Sequence, residues 1–406
     1  MMIERMSYTS QTNLAYNKTF GKHNINAVLA YEVMKYDYED MYGEKQVYGQ
    51  TLNPSLDNGA KPADLTNTRQ EDAMVSYVGS LNYGYNDKYY AGFSFRRDGS
   101  SRLAPDTVGG TFGLFLLHGD SLRKLHEPWE NVVSDMKLRA SYGVNGNLPT
   151  GYYGYHGTYT TGAFYNGKPA PWEDAIANPD LTWEKNYALN LGVDLSLFRR
   201  VNLTFDWYTR TTKDLLMSKQ LNSISGFGSI LTNVGEMKNT GFEIEVRSSN
   251  IQTKDFSWTT SLNLSHNKNK IVKLADLPEF IDGNYIRKEG CSYATIYLRE
   301  YAGVDPNDGR PMYYDNKEDE NGNRSRNIVY DPNDADRVEL KDIYPKLTGG
   351  LMNTFNYKFI DLSFNLSFHL GGYSYDGACM LCRMTVIRHN TIRVQSYAAV
   401  GNSREI

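Results

Sequence analysis

A chain of 406 residues with 43 basic and 47 acidic side chains carries a net charge of −4, which leaves no electrostatic footprint for a nucleic-acid partner. Three cysteines exclude a disulfide scaffold, and no run of about 18 apolar residues is present to form a transmembrane helix. The opening MMIERMSYTS contains neither the apolar segment nor the small-residue cleavage site of a signal peptide.

Tyrosine is the compositional outlier, with 32 copies beside 16 Phe and 35 Gly. Aromatic side chains fit a pleated surface, so this favours β-structure. A polar average composition does not oppose a membrane barrel, because only alternate residues of each strand would face lipid.

Period-2 alternation then recurs along the chain. Ile25, Ala27, Leu29, Tyr31 and Val33 follow a turn at Gly21–Lys22. Val75, Tyr77, Leu81, Tyr83 and Tyr85 lead through Asn86–Lys88 to Tyr89, Ala91, Phe93 and Phe95. Leu138, Ala140, Tyr142 and Val144 oppose Lys137, Arg139 and Ser141. The clearest pair is YALNLGVDLSLFRRVNLTFD, Tyr187 to Asp206, where Leu189, Leu191, Val193, Leu195, Leu203 and Phe205 share one face. Tyr187 and Trp207 are expected at one membrane interface, with Arg199 and Arg200 in the turn. Phe242, Ile244 and Val246 oppose Glu243, Glu245 and Arg247, and Phe256, Trp258, Leu262 and Leu264 oppose a Ser/Thr/Asn face. Leu351, Phe355, Tyr357 and Phe359 turn at Ile360–Asp361 into Leu362, Phe364, Leu366, Phe368 and Leu370.

These segments predict roughly a dozen strands, many near the ~9–11 residues a tilted strand needs to cross a bilayer. Ordinary globular strands average about 5–6. Connections alternate in size: short turns at Gly21–Lys22, Asn86–Lys88, Phe198–Arg200, Ser248–Asp255 and Ile360–Asp361 separate long stretches at 37–72, 98–135, 145–184, 212–239 and 267–343. Short turns on one rim and long loops on the other are the pattern of a transmembrane barrel. Charges at Lys137, Arg139, Glu243, Glu245 and Arg247 would be costly in a sandwich core and suit a water-filled lumen. The expected fold is therefore all-β, an antiparallel transmembrane β-barrel.

Six segments resemble the SusC/RagA-type TonB-dependent transporters of the Bacteroidetes outer membrane. They are FRRDGSSRLAP (from Phe95), MKLRASYGVNGN (from Met136), NPDLTWEKNYALNLGVD (from Asn178), NVGEMKNTGFEIE (from Asn233), YAGVDPNDGRP (from Tyr301) and YPKLTGGLMN (from Tyr344). They occur in the family's order, over about residues 10 to 377. The resemblance implies about 12 strands of a 22-stranded parent barrel that encloses an N-terminal plug. It also implies import of glycans or peptides beneath a SusD-like surface lipoprotein, with energy reaching the plug from the TonB complex. Set against that pattern, the sequence is expected to begin already inside the barrel region, without plug or TonB box, and residues 1–377 are expected to be a partial barrel domain. Residues 378–406 lose the alternation and carry four Arg with no Asp or Glu between Ala378 and Arg404. They are expected to be a divergent or out-of-frame tail.

No catalytic constellation stands out, and seven scattered histidines show no metal-ligand spacing. Cys379 and Cys382 form one CxxC without the second pair a structural zinc needs. DNKEDENGN, from Asp315, superficially resembles a calcium loop, but aligning Gly322 to the sixth position puts Lys317 first and Ile328 twelfth. No metal, cofactor or enzymatic activity is expected. Tyr152, Tyr153, Tyr155 and Trp172 crowd one long loop and are the candidate ligand contacts, since flat aromatic faces stack on sugars or grip peptide side chains. The same rings could instead pack the loop or form an interface girdle. Asp98, Arg102 and Asp305 are read as turn formers. Two other function classes compete: a β-rich hydrolase, which would need convergent catalytic groups, and a cell-surface adhesin or binding protein, for which no fixed repeat is visible.

Overall fold

A computed structural model describes residues 1–48, 55–120, 132–274 and 278–374. Its frame is a twelve-stranded sheet in which sequence neighbours are spatial neighbours throughout. The strands are β1 (Met2–Phe20), β2 (His23–Tyr48), β3 (Gly59–Tyr85), β4 (Tyr89–Ser100), β5 (Gly109–Asp120), β6 (Val133–Asn147), β7 (Glu184–Leu197), β8 (Val201–Gln220), β9 (Ser229–Gln252), β10 (Phe256–Lys273), β11 (Leu347–Tyr357) and β12 (Ile360–Leu370). Every adjacent pair is antiparallel. β1 and β12 are the two sheet edges and do not pair with each other.

Short connections join the strands on one rim, and their backbone explains their brevity. Gly21, Asn86, Asp87, Phe198, Arg199 and Lys358 all have positive φ, between 52° and 59°. Left-handed residues give a turn the twist that matches paired strands. The last turn is therefore centred on Lys358–Phe359, two residues before the expected Ile360–Asp361, and the turn after β9 shrinks to Thr253–Asp255.

Register fixes the two faces. One row reads Leu138, Val193, Phe205, Ile244 and Leu264 across β6 to β10, and the row beside it reads Arg139, Gly192, Asp206, Glu243 and Ser265. The apolar face has no protein cover: Leu29 is 61% exposed, Phe93 53% and Leu362 61%. In water such a wall would be an aggregation surface, and a bilayer removes that cost. Trp207 pairs with Leu191 while Tyr187 pairs with Thr211, so the two aromatics stand four residues apart along the strands. They do not share the level that the alternation alone suggested.

Two stretches read as loops are strand. β5 lies inside 98–135; its alternation is hidden because Phe112 and Leu114 point toward an apolar cluster and a glycine on the face where other strands carry polar groups. β2 and β3 continue through most of 37–72, pairing from Tyr36↔Asp72 to Tyr48↔Gly59. Both faces there are open to solvent, so nothing imposed an apolar period. β8, β9 and β10 likewise run past their expected ends, to Gln220, from Ser229 and to Lys273.

Buried apolar residues gather at the long-loop rim rather than within the sheet. One cluster is Leu103, Phe112, Leu181 and Trp183; the other is Met217, Ile271 and Leu274. Between β10 and β11 the chain builds a four-stranded and a three-stranded sheet of its own. The segment after Ser374, with its CxxC and basic tail, lies outside the described residues.

Candidate functional site

The polar face of the sheet is organised around Arg139. Its guanidinium donates to both oxygens of Asp194 and both oxygens of Asp206, each at 2.9 Å. Bidentate pairing of this kind fixes orientation as well as charge. The Arg139 head lies over Gly192, where a Cβ would come 2.6 Å from the guanidinium carbon. A side chain there would have to push the Arg139 and Asp206 head groups aside. Glu243 stands directly opposite Asp206, and Arg247 donates to Glu245 at 2.5 Å. Lys137 pairs in register with Asp194. Lys137, Arg139, Glu243, Glu245 and Arg247 thus occupy one face, and Leu189, Leu191, Val193, Leu195, Leu203 and Phe205 the other. Two acids, Asp194 and Asp206, hold one arginine and a third, Glu243, stands across from Asp206, so the centre of this patch is net negative.

Above it, two connections, 101–108 and 148–183, are clasped together and to the ends of β3, β5, β8 and β9, largely by residues of the recurrent motifs. Asp72 is 5% exposed and receives two bonds from Arg102, at 2.7 and 3.0 Å. Arg102 also donates to the Pro149 carbonyl, and its guanidinium lies 4.4 Å from the Tyr152 ring centre. Leu181 is fully buried beside Trp183, whose indole meets Phe112 edge-on at 5.2 Å. The Trp183 indole N–H donates to the Val108 carbonyl, and Thr107 Oγ1 donates to the Leu181 carbonyl at 2.7 Å. Asn178 Nδ2 donates to the Leu231 carbonyl. Asn233 accepts from the Thr182 amide at 2.9 Å and donates to the carbonyls of Thr182 (2.9 Å) and Asp214 (2.8 Å). Asn147 donates to Glu184. A cavity of about 960 Å³ opens beneath the clasp, lined by Arg96, Asp98, Asn145, Asn147, Trp183 and Glu184 among others.

The four aromatic candidates separate. Tyr152 stacks under Arg102, the Tyr153 hydroxyl accepts from the Glu71 amide, and Tyr155 packs on the Leu103 cluster and against His156. Trp172 lies apart, 57% exposed, pairing with Thr160 in a small hairpin. Tyr159, Phe164 and Tyr165 are exposed in the same 158–175 excursion. Alternation and composition did not single out Asn178, Asn233 or Arg102 as organising residues. The only signal for them was their place inside recurrent motifs.

The β10–β11 excursion uses its carboxylates on its own backbone. Asp319 accepts from the amides of Asn321 and Asn323, and the Asn323 amide first among these holds its carboxyl below the ordinary range. Asp315 accepts from Ser325 and Asn327. Asp305 accepts from the Tyr330 hydroxyl at 2.6 Å, which lowers the carboxyl and raises the phenol. Among the described residues no three His, Cys, Asp or Glu side chains are grouped to hold a metal ion.

Comparison with known proteins places this geometry. The model of the TonB dependent receptor-like β-barrel family matches residues 4–401. The TonB-dependent receptor P3 of Formosa agariphila is 32% identical over 400 residues, covering 89% of this chain and 38% of that protein. SusC of Bacteroides thetaiotaomicron, a TonB-dependent receptor, is 29% identical over 389 residues, again covering 89% and 38%. The solved structure of the RagAB peptide transporter superposes with a TM-score of 0.80 at 27% identity, over 91% of this chain and 42% of that one. The chain thus spans well under half the length of these relatives. Two-faced strands, short turns opposite long loops and six ordered motifs meet in one conclusion: the chain belongs to the TonB-dependent receptor β-barrel family, of SusC/RagA type, in the outer membrane.

Proposed function

We propose that this chain forms a wall section of an outer-membrane barrel that imports oligosaccharides or peptides, working with a SusD-like surface lipoprotein and drawing energy from the TonB complex through a plug. The observation that carries the reading is the two-faced sheet, whose strands are long enough to cross a bilayer and whose apolar face is bare. In this reading Leu189, Leu191, Val193, Leu195, Leu203 and Phe205 meet acyl chains. Lys137, Arg139, Glu243, Glu245 and Arg247 face the lumen, where the net negative patch contacts the plug or borders the cargo's path. Tyr152, Tyr153 and Tyr155 shape the mouth as parts of the clasp, and Trp172 offers its open ring to cargo. The protein performs gated passage and no bond chemistry.

The test is uptake of labelled oligosaccharides and peptides by cells whose gene carries or lacks the segment encoding this chain, with and without a proton uncoupler. Energised uptake of one cargo class should vanish on deletion. Unchanged uptake with lost surface attachment would instead favour an adhesin.

A further inference from the structure

The short-turn rim combines three features that the transport reading does not use. The first is charge. The five described short connections (21–22, 86–88, 198–200, 253–255 and 358–359) contain Lys22, Lys88, Arg199, Arg200, Lys254 and Lys358 against only Asp87 and Asp255. Six positive minus two negative gives +4 on these five connections, within a chain whose net charge is −4. Each of the five connections carries at least one basic side chain, and among the described residues none of the six forms an ion pair.

The second is backbone conformation. Phe198, Arg199 and Lys358 hold φ of 53°, 56° and 53°, a region where glycine or asparagine costs least. Keeping bulky side chains at such positions points to a use for the side chains themselves. The third is the neighbouring apolar belt. Phe20, Tyr85, Tyr89, Phe198, Tyr357 and Phe359 are all exposed beside these turns, Phe359 at 90%. Aromatic rings at the headgroup level are how barrels mark the membrane boundary. Amines and guanidinia next to that belt lie at the depth of lipid phosphates.

We propose that the short-turn rim is a collar that binds the phosphate headgroups of anionic phospholipids in the periplasmic leaflet. Positive side chains near an anionic surface are attracted within a Debye length, and the attraction is weakened by salt. The collar rests on the outer-membrane reading and is independent of the cargo.

The experiment folds the full chain from urea into vesicles of phosphatidylcholine, alone or with phosphatidylglycerol. Vesicle association is measured by flotation, and strand content by circular dichroism. Phosphatidylglycerol should tighten association by on the order of tenfold or more at low salt. The gain should fade as salt rises and should be absent from a variant carrying K22Q, K88Q, R199Q, R200Q, K254Q and K358Q. A control with K35Q, K45Q, K61Q, R69Q, K168Q and K213Q on the long-loop side, equal in charge change, should keep it. A phosphatidylglycerol preference equal in both variants, or equal association of the native chain with both vesicles, overturns the collar and leaves the barrel reading standing. Competition by polyglutamate without any lipid preference assigns the rim to an acidic protein and overturns it too. Failure to enter any vesicle removes the barrel reading and the collar together.

Discussion

Asn233 joins a β8–β9 bulge to the loop that carries Leu181 and Trp183, so its removal should loosen the clasp and spare the wall. Its side chain makes three hydrogen bonds to main-chain groups, with the Thr182 amide and with the carbonyls of Thr182 and Asp214. Each is worth about 0.5–1.5 kcal/mol net, so Asn233→Ala should cost the closed clasp roughly 2–4 kcal/mol. Asn233→Asp should cost at least as much, because a carboxylate oxygen would then face two carbonyls that had received donors. The assay is amide hydrogen exchange on the chain in detergent. At about 1.4 kcal/mol per tenfold, protection of the Thr182 amide should fall by roughly 30- to 1,000-fold. Amides of β7 and β8 below the clasp, such as Val193 and Phe205, should keep theirs, because they belong to a separate cooperative unit. Unchanged protection at Thr182, or equal loss at Thr182 and Val193, would refute the idea that Asn233 staples a locally stable loop to an independently stable wall.

Arg139→Leu leaves Asp194, Asp206 and Glu243 facing one another and should lower the urea midpoint in detergent, at a cost of about 1–3 kcal/mol; adding Asp206→Asn should recover part of the loss. Gly241→Ala places a methyl against the His266 carbonyl and 2.6 Å from the Tyr208 hydroxyl, so thermal stability should fall by about 1–3 kcal/mol with the Arg139 cluster intact. In the β10–β11 excursion, Tyr330 should titrate above the ordinary phenol value near 10, and Asp305→Asn should return it toward that value, as read by ultraviolet difference spectra. The sign is fixed by the partners. The bond is present above the ordinary carboxylate range, is lost on acidification as Asp305 protonates through its depressed value, and is lost on the alkaline side as Tyr330 ionises above its raised one.

What could be read from the sequence follows from where lipid or water imposes a period. β7 to β10 alternate cleanly because one face is apolar and bare and the other polar, so their two faces were legible. β5 was not, since the clasp folds onto its polar-side positions and makes both faces apolar. The distal halves of β2 and β3 were not either, because solvent on both sides removes the contrast that alternation needs. The last turn shifted because its left-handed residue is a lysine, a type that gives no turn signal, whereas the turn at Phe198–Arg200 lies where it was expected. At the site, aromatic crowding drew attention to Tyr152, Tyr153 and Tyr155. The groups that organise the region are Asp72, Arg102, Asn178 and Asn233, whose polar side chains look like ordinary loop residues until their carbonyl and amide partners come from distant segments.

The length of β2 and β3 has a consequence for the living surface. At about 3.3 Å per residue, 26 and 27 residues have far more contour than the ~9–11 residues that cross lipid. With the short turns in the periplasm, as proposed above, the surplus stands outside the cell as hydrogen-bonded ribbon. Proteases need an unpaired, extended stretch to cleave, and this ribbon offers its backbone already paired. Enzymatic shaving of intact cells should therefore spare the tallest part of the wall and cut first in the shorter, turn-rich excursion between β10 and β11, so height above the membrane and vulnerability run in opposite order.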